Sequence, residues 1–219
     1  EELKDRFPQF EILELIGQGG MGAVYKVRQR TLDRIVALKI IRPDVEQQAG
    51  FAERFSREAK TLARLNHPHI TTVHDFGESD GLFYLVMEFV EGTNLRELMH
   101  EPLDTTVVLK IVSAICDALQ YAHERDVVHR DIKPENILVD GSGHVKIADF
   151  GLAKIVDGSE VSVGLTNSRQ VMGTWQYMAP EQMQGTKSVD HRADIYSLGV
   201  MLYEMLTGEG PLGIFDPPS

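Results

Sequence analysis

The sequence has a single cysteine and no long uninterrupted run of hydrophobic residues. One cysteine, Cys116, excludes internal disulfides and fits a reducing compartment. The longest apolar stretches, residues 35–41 and 198–206, are too short or too interrupted to cross a bilayer. No basic leader followed by an apolar block opens the chain, so no secretory signal is visible. We therefore expect a cytoplasmic location, either of a separate protein or of the cytoplasmic part of a larger membrane protein, with no membrane insertion by this chain.

Basic residues are also scarce. There are 22 lysines and arginines against 33 aspartates and glutamates, which gives a formal net charge of −11. Binding to a nucleic-acid backbone needs a basic face, so this balance argues against a nucleic-acid partner. The same deficit argues against adhesion to an anionic membrane surface. With 219 residues, 42% of them hydrophobic, the chain is long enough to bury a core in one or two domains.

The first part of the chain has the patterns of β-strands. Within residues 10–41, the runs FEILELI, AVYKV and RIVALKII are separated by a glycine cluster and by the turn TLD. This predicts three antiparallel strands joined by hairpins. Two further strands, ITTVHDF and LFYLVMEF, are predicted on either side of the turn ESDG.

Three other segments have helical periodicity. A helix from about Glu46 to Leu65 is predicted, with one face made of Phe51, Phe55, Glu58, Leu62 and Leu65. Asp104 is the expected N-cap of a long helix whose apolar stripe is Val107, Ile111, Ala114, Ile115, Ala118, Leu119 and Ala122. Cys116 lies in this helix, and we expect a buried, unreactive thiol. Residues 194–206 are predicted to be helical again.

Two features of the β-rich part suggest phosphate chemistry. In GQGGMGAV, the glycines Gly17, Gly19 and Gly22 allow close approach of the backbone to phosphate oxygens. A β-type run follows them, which favours a glycine-rich hairpin over a dinucleotide-binding turn, although an ordinary flexible hairpin remains an alternative. Lys39 lies among aliphatic residues in a predicted strand, where a lysine needs a partner. Glu58, on the apolar face of its helix, is the natural one; the alternatives are a snorkelling lysine and a solvated glutamate.

Three polar segments follow in the second half. HRDIKPEN at 129–136 and DFG at 149–151 place two aspartates, a lysine and an asparagine between β-type runs, which suits holding metal-bound phosphate beside a hydroxyl. GTWQYMAPE follows at 173–181. Together with the glycine cluster, Lys39 and Glu58, this ordered set resembles a protein kinase acting on serine or threonine, of the bacterial eukaryotic-like group. The resemblance extends from Phe10 to about Gly208.

The resemblance implies an α+β, bilobal fold. Residues 1–87 would form a small antiparallel β-sheet lobe with the glycine-rich loop and one regulatory helix. Residues 88–92 would form the hinge. Residues 93–219 would form a mainly helical lobe with the activation segment and with HRDIKPEN, residues 129–136, as the catalytic loop. Family members usually continue with several more helices, so we expect this lobe to be incomplete at its C-terminus.

The resemblance also assigns roles to single residues in transfer of the γ-phosphoryl group of ATP. The metal would be Mg²⁺, with Mn²⁺ as an alternative. The catalytic set is Asp131, Lys133, Lys39, Glu58 and Thr174. The metal ligands are Asn136 and Asp149. The nucleotide-binding set is Gly17, Gly19, Gly22, Val24, Ala37, Lys39, Met87, Glu88 and Val90. His129 is expected to be structural.

The resemblance also implies regulation by phosphorylation. Thr166 and Ser168 align with activation-loop phosphosites, and Arg130 would pair with the phosphate. The expected partner is a protein with a serine or threonine acceptor, and self-association would allow autophosphorylation in trans. A non-catalytic nucleotide-binding scaffold and a catalytically incapacitated fragment remain alternatives. A small-molecule phosphotransferase is disfavoured by GTWQYMAPE, which the resemblance connects with peptide substrates.

Overall fold

The computed structural model describes residues 2–20, 22–41, 50–151, 175–184 and 189–211. Within these ranges the chain forms two compact units, and it passes from the first to the second between Phe89 and Val90. The described residues up to Phe89 belong to the first unit, except for Pro68–Ile70, which belongs to the second. The lobe limits at residues 87 and 93 remain predictions.

The first unit is built on a five-stranded antiparallel sheet. Its strands are β1 (Phe10–Gly19), β2 (Gly22–Gln29), β3 (Arg34–Ile41), β4 (Val73–Ser79) and β5 (Leu82–Glu88). They lie in the order β1-β2-β3-β5-β4. The three strands predicted for residues 10–41 and the strand pair that follows are thereby confirmed. Asp80 and Gly81, both with positive φ, turn the chain between β4 and β5.

A short N-terminal segment completes the core of this sheet. Helix α1 (Glu2–Arg6) is followed by Phe7, whose side chain is 0% exposed and packs in one cluster with residues of the sheet. The Phe7 ring meets the Tyr84 ring edge-on at 5.3 Å. The Ser79 hydroxyl donates to the Arg6 carbonyl at 2.6 Å. The first residues of the chain are therefore part of the first unit's core, which no sequence pattern had indicated.

Helix α2 (Phe51–Leu62) carries the predicted apolar face, but its ends differ from the prediction. Gly50 caps its start with a left-handed backbone, φ 74°, so the described helix begins at Phe51; Glu46 lies outside the described residues. It ends at Leu62 rather than Leu65, because Ala63 is already its C-cap. The residues of the predicted face are buried, and the ring of Phe55 contacts Phe83 of β5 at 5.0 Å. This face therefore packs on the sheet.

The second unit is mainly helical. Its helices are α3 (Leu95–Leu98), α4 (Thr105–His123), α5 (Pro180–Met183) and α6 (Arg192–Thr207). A small antiparallel sheet contains β6 (Gly92–Asn94), β7 (Ile137–Asp140) and β8 (Val145–Ile147), in that order. Helix α4 packs against α6 and β8. The helix predicted for residues 194–206 is confirmed as α6.

Helix α4 begins as predicted, and its buried face matches the predicted stripe except at the first position. The Asp104 carboxylate accepts from the Thr106 N–H at 2.8 Å, and such backbone bonds lower the pKa of Asp104. Val108 is buried, whereas Val107, predicted for the stripe, is 44% exposed. Cys116 is exposed, so its predicted burial is wrong. Partial burial and the charge of neighbouring Asp117 still raise the pKa of the Cys116 thiol, which keeps it weakly nucleophilic.

Helix α4 also has the length and composition of a membrane-spanning helix, which no sequence pattern had indicated. It is long and apolar enough to cross a membrane, with 19 residues and a mean hydropathy of 1.3 over its best window. Core helices of globular proteins pass the same test. Since the buried side of α4 packs against α6 and β8, this is weak evidence for a membrane segment.

Phe7→Ala is expected to lower the free energy of unfolding of the first unit by about 3–5 kcal/mol, because it leaves a cavity in the sheet core. Urea denaturation followed by circular dichroism measures the change. Leu32→Ala is the control, since the Leu32 side chain is 63% exposed and its truncation should change the free energy by less than about 0.5 kcal/mol. Equal effects of the two substitutions would contradict a core role for Phe7.

Candidate active site

Four of the predicted nucleotide-binding residues lie on one face of the first unit's sheet. Val24 of β2 lies directly opposite Lys39 of β3, and Ala37 of β3 lies opposite Met87 of β5. Opposed residues project to the same side of a sheet, and Ala37 and Lys39 share a side because they are two positions apart. The strand register therefore groups Val24, Ala37, Lys39 and Met87.

The glycine-rich hairpin connects to the same face through its register. Gly17 pairs with Val24, and Gly19 pairs with Gly22. Gly22 has φ 142°, and a Cβ atom there would lie 1.9 Å from the carbonyl oxygen of Ile40. Close approach of β3 therefore requires glycine at position 22, whereas a Cβ at Gly17 or Gly19 would meet nothing closer than 3.9 Å. Contact of these glycines with phosphate remains a prediction.

Lys39 and Glu58 are both buried. Lys39 is 4% exposed in the middle of β3, and Glu58 is 7% exposed on the packed face of α2. The Glu58 carboxylate accepts from Nε of Arg57 at 3.1 Å. Such burial contradicts the alternatives of a snorkelling lysine and a solvated glutamate. The direct pairing of Lys39 with Glu58 stays a prediction.

Two hydrogen bonds to Thr72 hold Glu88, the first residue of the predicted hinge. The Glu88 N–H donates to the Thr72 carbonyl at 2.9 Å, and the Glu88 carboxylate accepts from the Thr72 N–H at 3.2 Å. Nζ of Lys26 lies 4.6 Å from the centre of the Phe89 ring. These contacts fix the end of β5 within the first unit. Val90, also predicted to bind nucleotide, belongs to the second unit.

Three predicted catalytic and metal-binding residues meet in the second unit. Nζ of Lys133 lies 2.8 Å from Oδ2 of Asp131. Nδ2 of Asn136 donates to the same Oδ2 at 3.1 Å and to the Asp131 carbonyl at 2.8 Å. A 3-10 turn at Pro134–Asn136 returns the chain so that Asn136 can reach back to Asp131. The carboxylate of Asp131 is thus held by two side chains of the same loop.

The predicted metal ligands present atoms that suit a hard cation. Because Nδ2 of Asn136 is used by Asp131, the amide oxygen Oδ1 is the atom available to a cation. The Ala148 N–H donates to the Asn136 carbonyl at 2.8 Å, which ties Asn136 to the residue before Asp149. Asp149 has φ 61°, a left-handed conformation that aspartate tolerates better than most side chains.

Asn136 and Asp149 therefore fit Mg²⁺, which takes oxygen ligands and commonly binds through one or two protein groups plus phosphates. Mn²⁺ accepts the same ligands. Among the residues that the structure describes, no three histidine, cysteine, aspartate or glutamate side chains form a metal-binding group.

Asp194 organises the start of the catalytic loop, which sequence reasoning had missed. Its carboxylate is 0% exposed and accepts from the N–H groups of His129 at 2.9 Å and Arg130 at 2.8 Å. Nε2 of His123 lies 2.8 Å from the same carboxylate. An aspartate in the first turn of a helix has an ordinary explanation in the helix dipole, so the sequence signal was weak.

His129 has the structural role that was predicted for it. Its ring is 0% exposed; Nδ1 accepts from the Asp131 N–H at 3.2 Å and Nε2 donates to the Ala148 carbonyl at 2.9 Å. These partners fix the neutral tautomer with its proton on Nε2. The ring also packs edge-on against Phe150 at 4.6 Å. His129 thus connects HRDIKPEN with DFG inside the second unit.

Arg130 combines a strained backbone with an incompletely paired side chain. Its φ is 69°, in the left-handed region. Its guanidinium donates from Nη2 to the Val189 carbonyl at 3.3 Å. Its buried Nε has no hydrogen-bond partner in the described part of the chain. A buried guanidinium nitrogen without a partner is costly, and an anion would satisfy it.

A second cluster that the sequence did not reveal surrounds Tyr177 of GTWQYMAPE. Nη1 of Arg96 lies 2.6 Å from Glu204, and Nε of Arg96 lies 2.9 Å from Glu135. The Tyr177 hydroxyl bonds both Arg96 and Glu204. Burial and the bond to Glu204 raise the pKa of Tyr177; burial opposes protonation of Arg96, but the bonds to Glu204, Glu135 and Tyr177 raise its pKa overall. The cluster joins α3, the catalytic loop and α6.

Three predicted site residues cannot be placed. Thr174 and the proposed phosphosites Thr166 and Ser168 lie outside the described residues. The described part of GTWQYMAPE begins at Trp175. Their roles stay predictions.

Comparisons with known proteins agree with this geometry. The family description "Protein kinase domain" matches residues 10–215. The serine/threonine-protein kinase pkn3 of Myxococcus xanthus is 43% identical over 91% of this chain and 38% of its own length. PknB of Mycobacterium tuberculosis is 43% identical over 95% of this chain and 33% of its own length. The chain therefore spans 38% of the length of the first relative and about a third of the length of the second.

The fold also resembles solved structures. A crystal structure of the Mycobacterium tuberculosis PknI kinase domain matches with a TM-score of 0.75 and 33% sequence identity. The match covers 96% of this chain and 79% of that domain. It confirms the fold class predicted from the sequence.

Asp194→Asn is expected to lower the free energy of unfolding by about 3 kcal/mol. The amide keeps the size of the side chain but turns an N–H group toward donors that the carboxylate now satisfies. Thermal or urea unfolding measures the loss. Asp117→Asn, on the exposed side of α4, is the matched control and should leave the transition unchanged. A wild-type transition for Asp194→Asn would show that this carboxylate does not support the loop.

Proposed function

Since this chain belongs to the protein kinase domain family, we propose that it transfers the γ-phosphoryl group of ATP to serine or threonine hydroxyls of proteins. The observation that carries the proposal is the convergence of Lys133 and Asn136 on the carboxylate of Asp131. Relatives named serine/threonine-protein kinases support the choice of acceptor. Because the chain spans only part of those relatives, the activity and substrates of the whole protein belong to the proposal.

We assign nucleotide binding to the grouped face of the first unit. Val24, Ala37 and Met87 provide apolar contacts for the adenine ring, and Lys39 binds the α- and β-phosphates. Glu58 orients Lys39, since a buried ammonium group needs an anionic partner. The backbone of the hinge, from Glu88 to Val90, binds the adenine edge. The glycines of the β1–β2 hairpin cover the phosphates.

We assign the transfer step to the second unit. Asp131 orients the acceptor hydroxyl and accepts its proton, a role for which its carboxylate is pre-positioned by Asn136 and Lys133. The Lys133 ammonium group, held at this carboxylate, stabilises negative charge on the transferring phosphoryl group. Asn136 and Asp149 would hold Mg²⁺, which supplies neutralisation of phosphate charge. Thr174 would join Asp131 and Lys133.

We propose that phosphorylation of Thr166 or Ser168 activates the enzyme. The support is Arg130, whose buried Nε lacks a partner among the described residues while its neighbour Asp131 is the proposed base. A phosphate paired with this guanidinium would add charge-assisted hydrogen bonds beside the catalytic loop. Self-association of two copies would allow the reaction in trans. A cytoplasmic location, where ATP is available, completes the proposal.

Asp131→Asn is expected to lower phosphate transfer from labelled ATP to a generic protein substrate by at least about a hundredfold, because the amide cannot accept the hydroxyl proton. Binding of Mg-ATP should stay within about twofold of wild type, since Asp131 is assigned to the acceptor. Asp126→Asn is the control: Asp126 is exposed with φ 58°, which asparagine tolerates equally well.

Two results would count against the proposal. Transfer unchanged by Asp131→Asn would contradict the assigned base. Binding of ATP by the wild-type chain without transfer to any protein would favour a nucleotide-binding scaffold or an incapacitated fragment.

Incubation with Mg-ATP is expected to add phosphate to residues 157–170, and Thr166→Ala with Ser168→Ala should remove most of it. Intact-mass measurement followed by peptide mapping locates the phosphate. An initial rate that rises faster than in proportion to protein concentration would indicate the trans reaction. An active chain without phosphate in this segment would contradict the regulatory proposal.

A further inference from the structure

The peptide group that joins Arg130 to Asp131 is held at both ends. Its N–H, on Asp131, donates to Nδ1 of His129 at 3.2 Å. Its carbonyl, on Arg130, accepts from Nε2 of Gln182 at 2.9 Å. The orientation of this peptide plane sets the direction in which the Asp131 side chain leaves the backbone.

The side-chain amide of Gln182 has its orientation fixed by a second contact. Oε1 of Gln182 accepts from the N–H of Ala179, the N-cap of helix α5, at 3.1 Å. An amide turned the other way would set donor against donor at Ala179 and acceptor against acceptor at Arg130. The Oε1 atom of Gln182 therefore bonds the start of α5, and its Nε2 atom bonds the catalytic loop.

The backbone at Arg130 needs such support. A non-glycine residue with φ 69° persists only where the surroundings hold it. Asp194 holds the Arg130 N–H, and Gln182 holds the Arg130 carbonyl. Without the bond from Gln182, this part-buried carbonyl would lose its partner, and the peptide plane could rotate about the strained residue.

We propose that Gln182 is a positioning residue for phosphoryl transfer, which orients Asp131 by holding the peptide group before it. The inference rests on the proposed function, because Asp131 is there the acceptor of the hydroxyl proton. Gln182 also connects segment 175–184 with the catalytic loop. The segment 175–184 contains Tyr177 and the Ala179-Pro180-Glu181 triplet, so a displacement of this segment reaches Asp131 through one side chain.

Two substitutions at Gln182 separate its two hydrogen bonds. Gln182→Glu keeps an acceptor for the Ala179 N–H but places a carboxylate oxygen against the Arg130 carbonyl. Gln182→Met has a similar length and removes both bonds. Gln184→Glu, an exposed residue at the end of the same helix, is the matched control for added charge. A residue that merely caps α5 would tolerate the glutamate and suffer from the methionine.

The measurement is kcat for phosphorylation of a generic protein substrate, together with KM for ATP and the thermal unfolding midpoint. For Gln182→Glu and Gln182→Met alike, kcat should fall by about ten- to a hundredfold, since small misplacements of a catalytic group have effects of this size. KM for ATP should stay within about twofold of wild type. The midpoint of Gln182→Glu and all parameters of Gln184→Glu should match wild type.

Three results would overturn the inference. Wild-type kcat in Gln182→Glu would leave Gln182 as a helix cap alone. An equal loss in Gln184→Glu would assign the effect to charge. A lowered unfolding midpoint or a large rise in KM for ATP in Gln182→Glu would show a general structural defect.

Amide hydrogen exchange tests the same contact without any turnover. The Asp131 N–H should exchange at least about tenfold faster in Gln182→Glu than in wild type or Gln184→Glu, because a released peptide plane opens more often. Unchanged exchange at Asp131 would overturn the inference. Absence of transfer by the wild-type chain would instead overturn the proposed function, while the exchange rates would still decide the role of Gln182.

Discussion

The second unit depends on one buried carboxylate, that of Asp194. A carboxylate without solvent is costly unless hydrogen bonds replace its hydration, so the surrounding backbone must bring donors to it. Two of those donors are the consecutive N–H groups of His129 and Arg130. Because Asp131 is the next residue, the condition that stabilises Asp194 in α6 also fixes where the proposed base lies.

The catalytic loop repeats this arrangement on a smaller scale. The carboxylate of Asp131 is held by Lys133 and Asn136, and the peptide before it by His129 and Gln182. The N–H, the carbonyl and the Oδ2 atom of Asp131 therefore each have a partner. In the proposed role of base, Asp131 would need little reorganisation when a substrate arrives, which is how preorganised polar groups lower activation barriers.

Local patterns in the sequence carried much of the fold and part of the site. Strand alternation predicted the sheet, and the helical face of Phe55 and Glu58 predicted the burial of a carboxylate. Single positions at the edge of a helical face were less secure, because one residue along a helix turns the side chain by about 100°. For this reason Val107 and Cys116, both one position from buried residues of α4, were assigned to the wrong side.

The contacts that organise the site could not be predicted from such patterns, because they join residues that are distant in the sequence. Arg96 and Glu204 are 108 positions apart, and Gln182 and Arg130 are 52 apart. A glutamine after Ala179-Pro180-Glu181 and an arginine in a short helix look like solvated polar residues until the fold places them. Only the tertiary structure shows which of the many polar side chains are buried beside a charge.

The face that groups Val24, Ala37, Lys39 and Met87 could be predicted only in part from the sequence. Alternation along β3 puts Ala37 and Lys39 on one side of the strand, but it does not say which residues of β2 and β5 lie beside them. The register supplies that step, by setting Val24 opposite Lys39 and Met87 opposite Ala37. Gly22 shows how closely these strands approach: any side chain at position 22 would collide with the Ile40 carbonyl of β3. A glycine expected to serve a phosphate thus also permits the close strand pairing that groups Val24, Ala37, Lys39 and Met87.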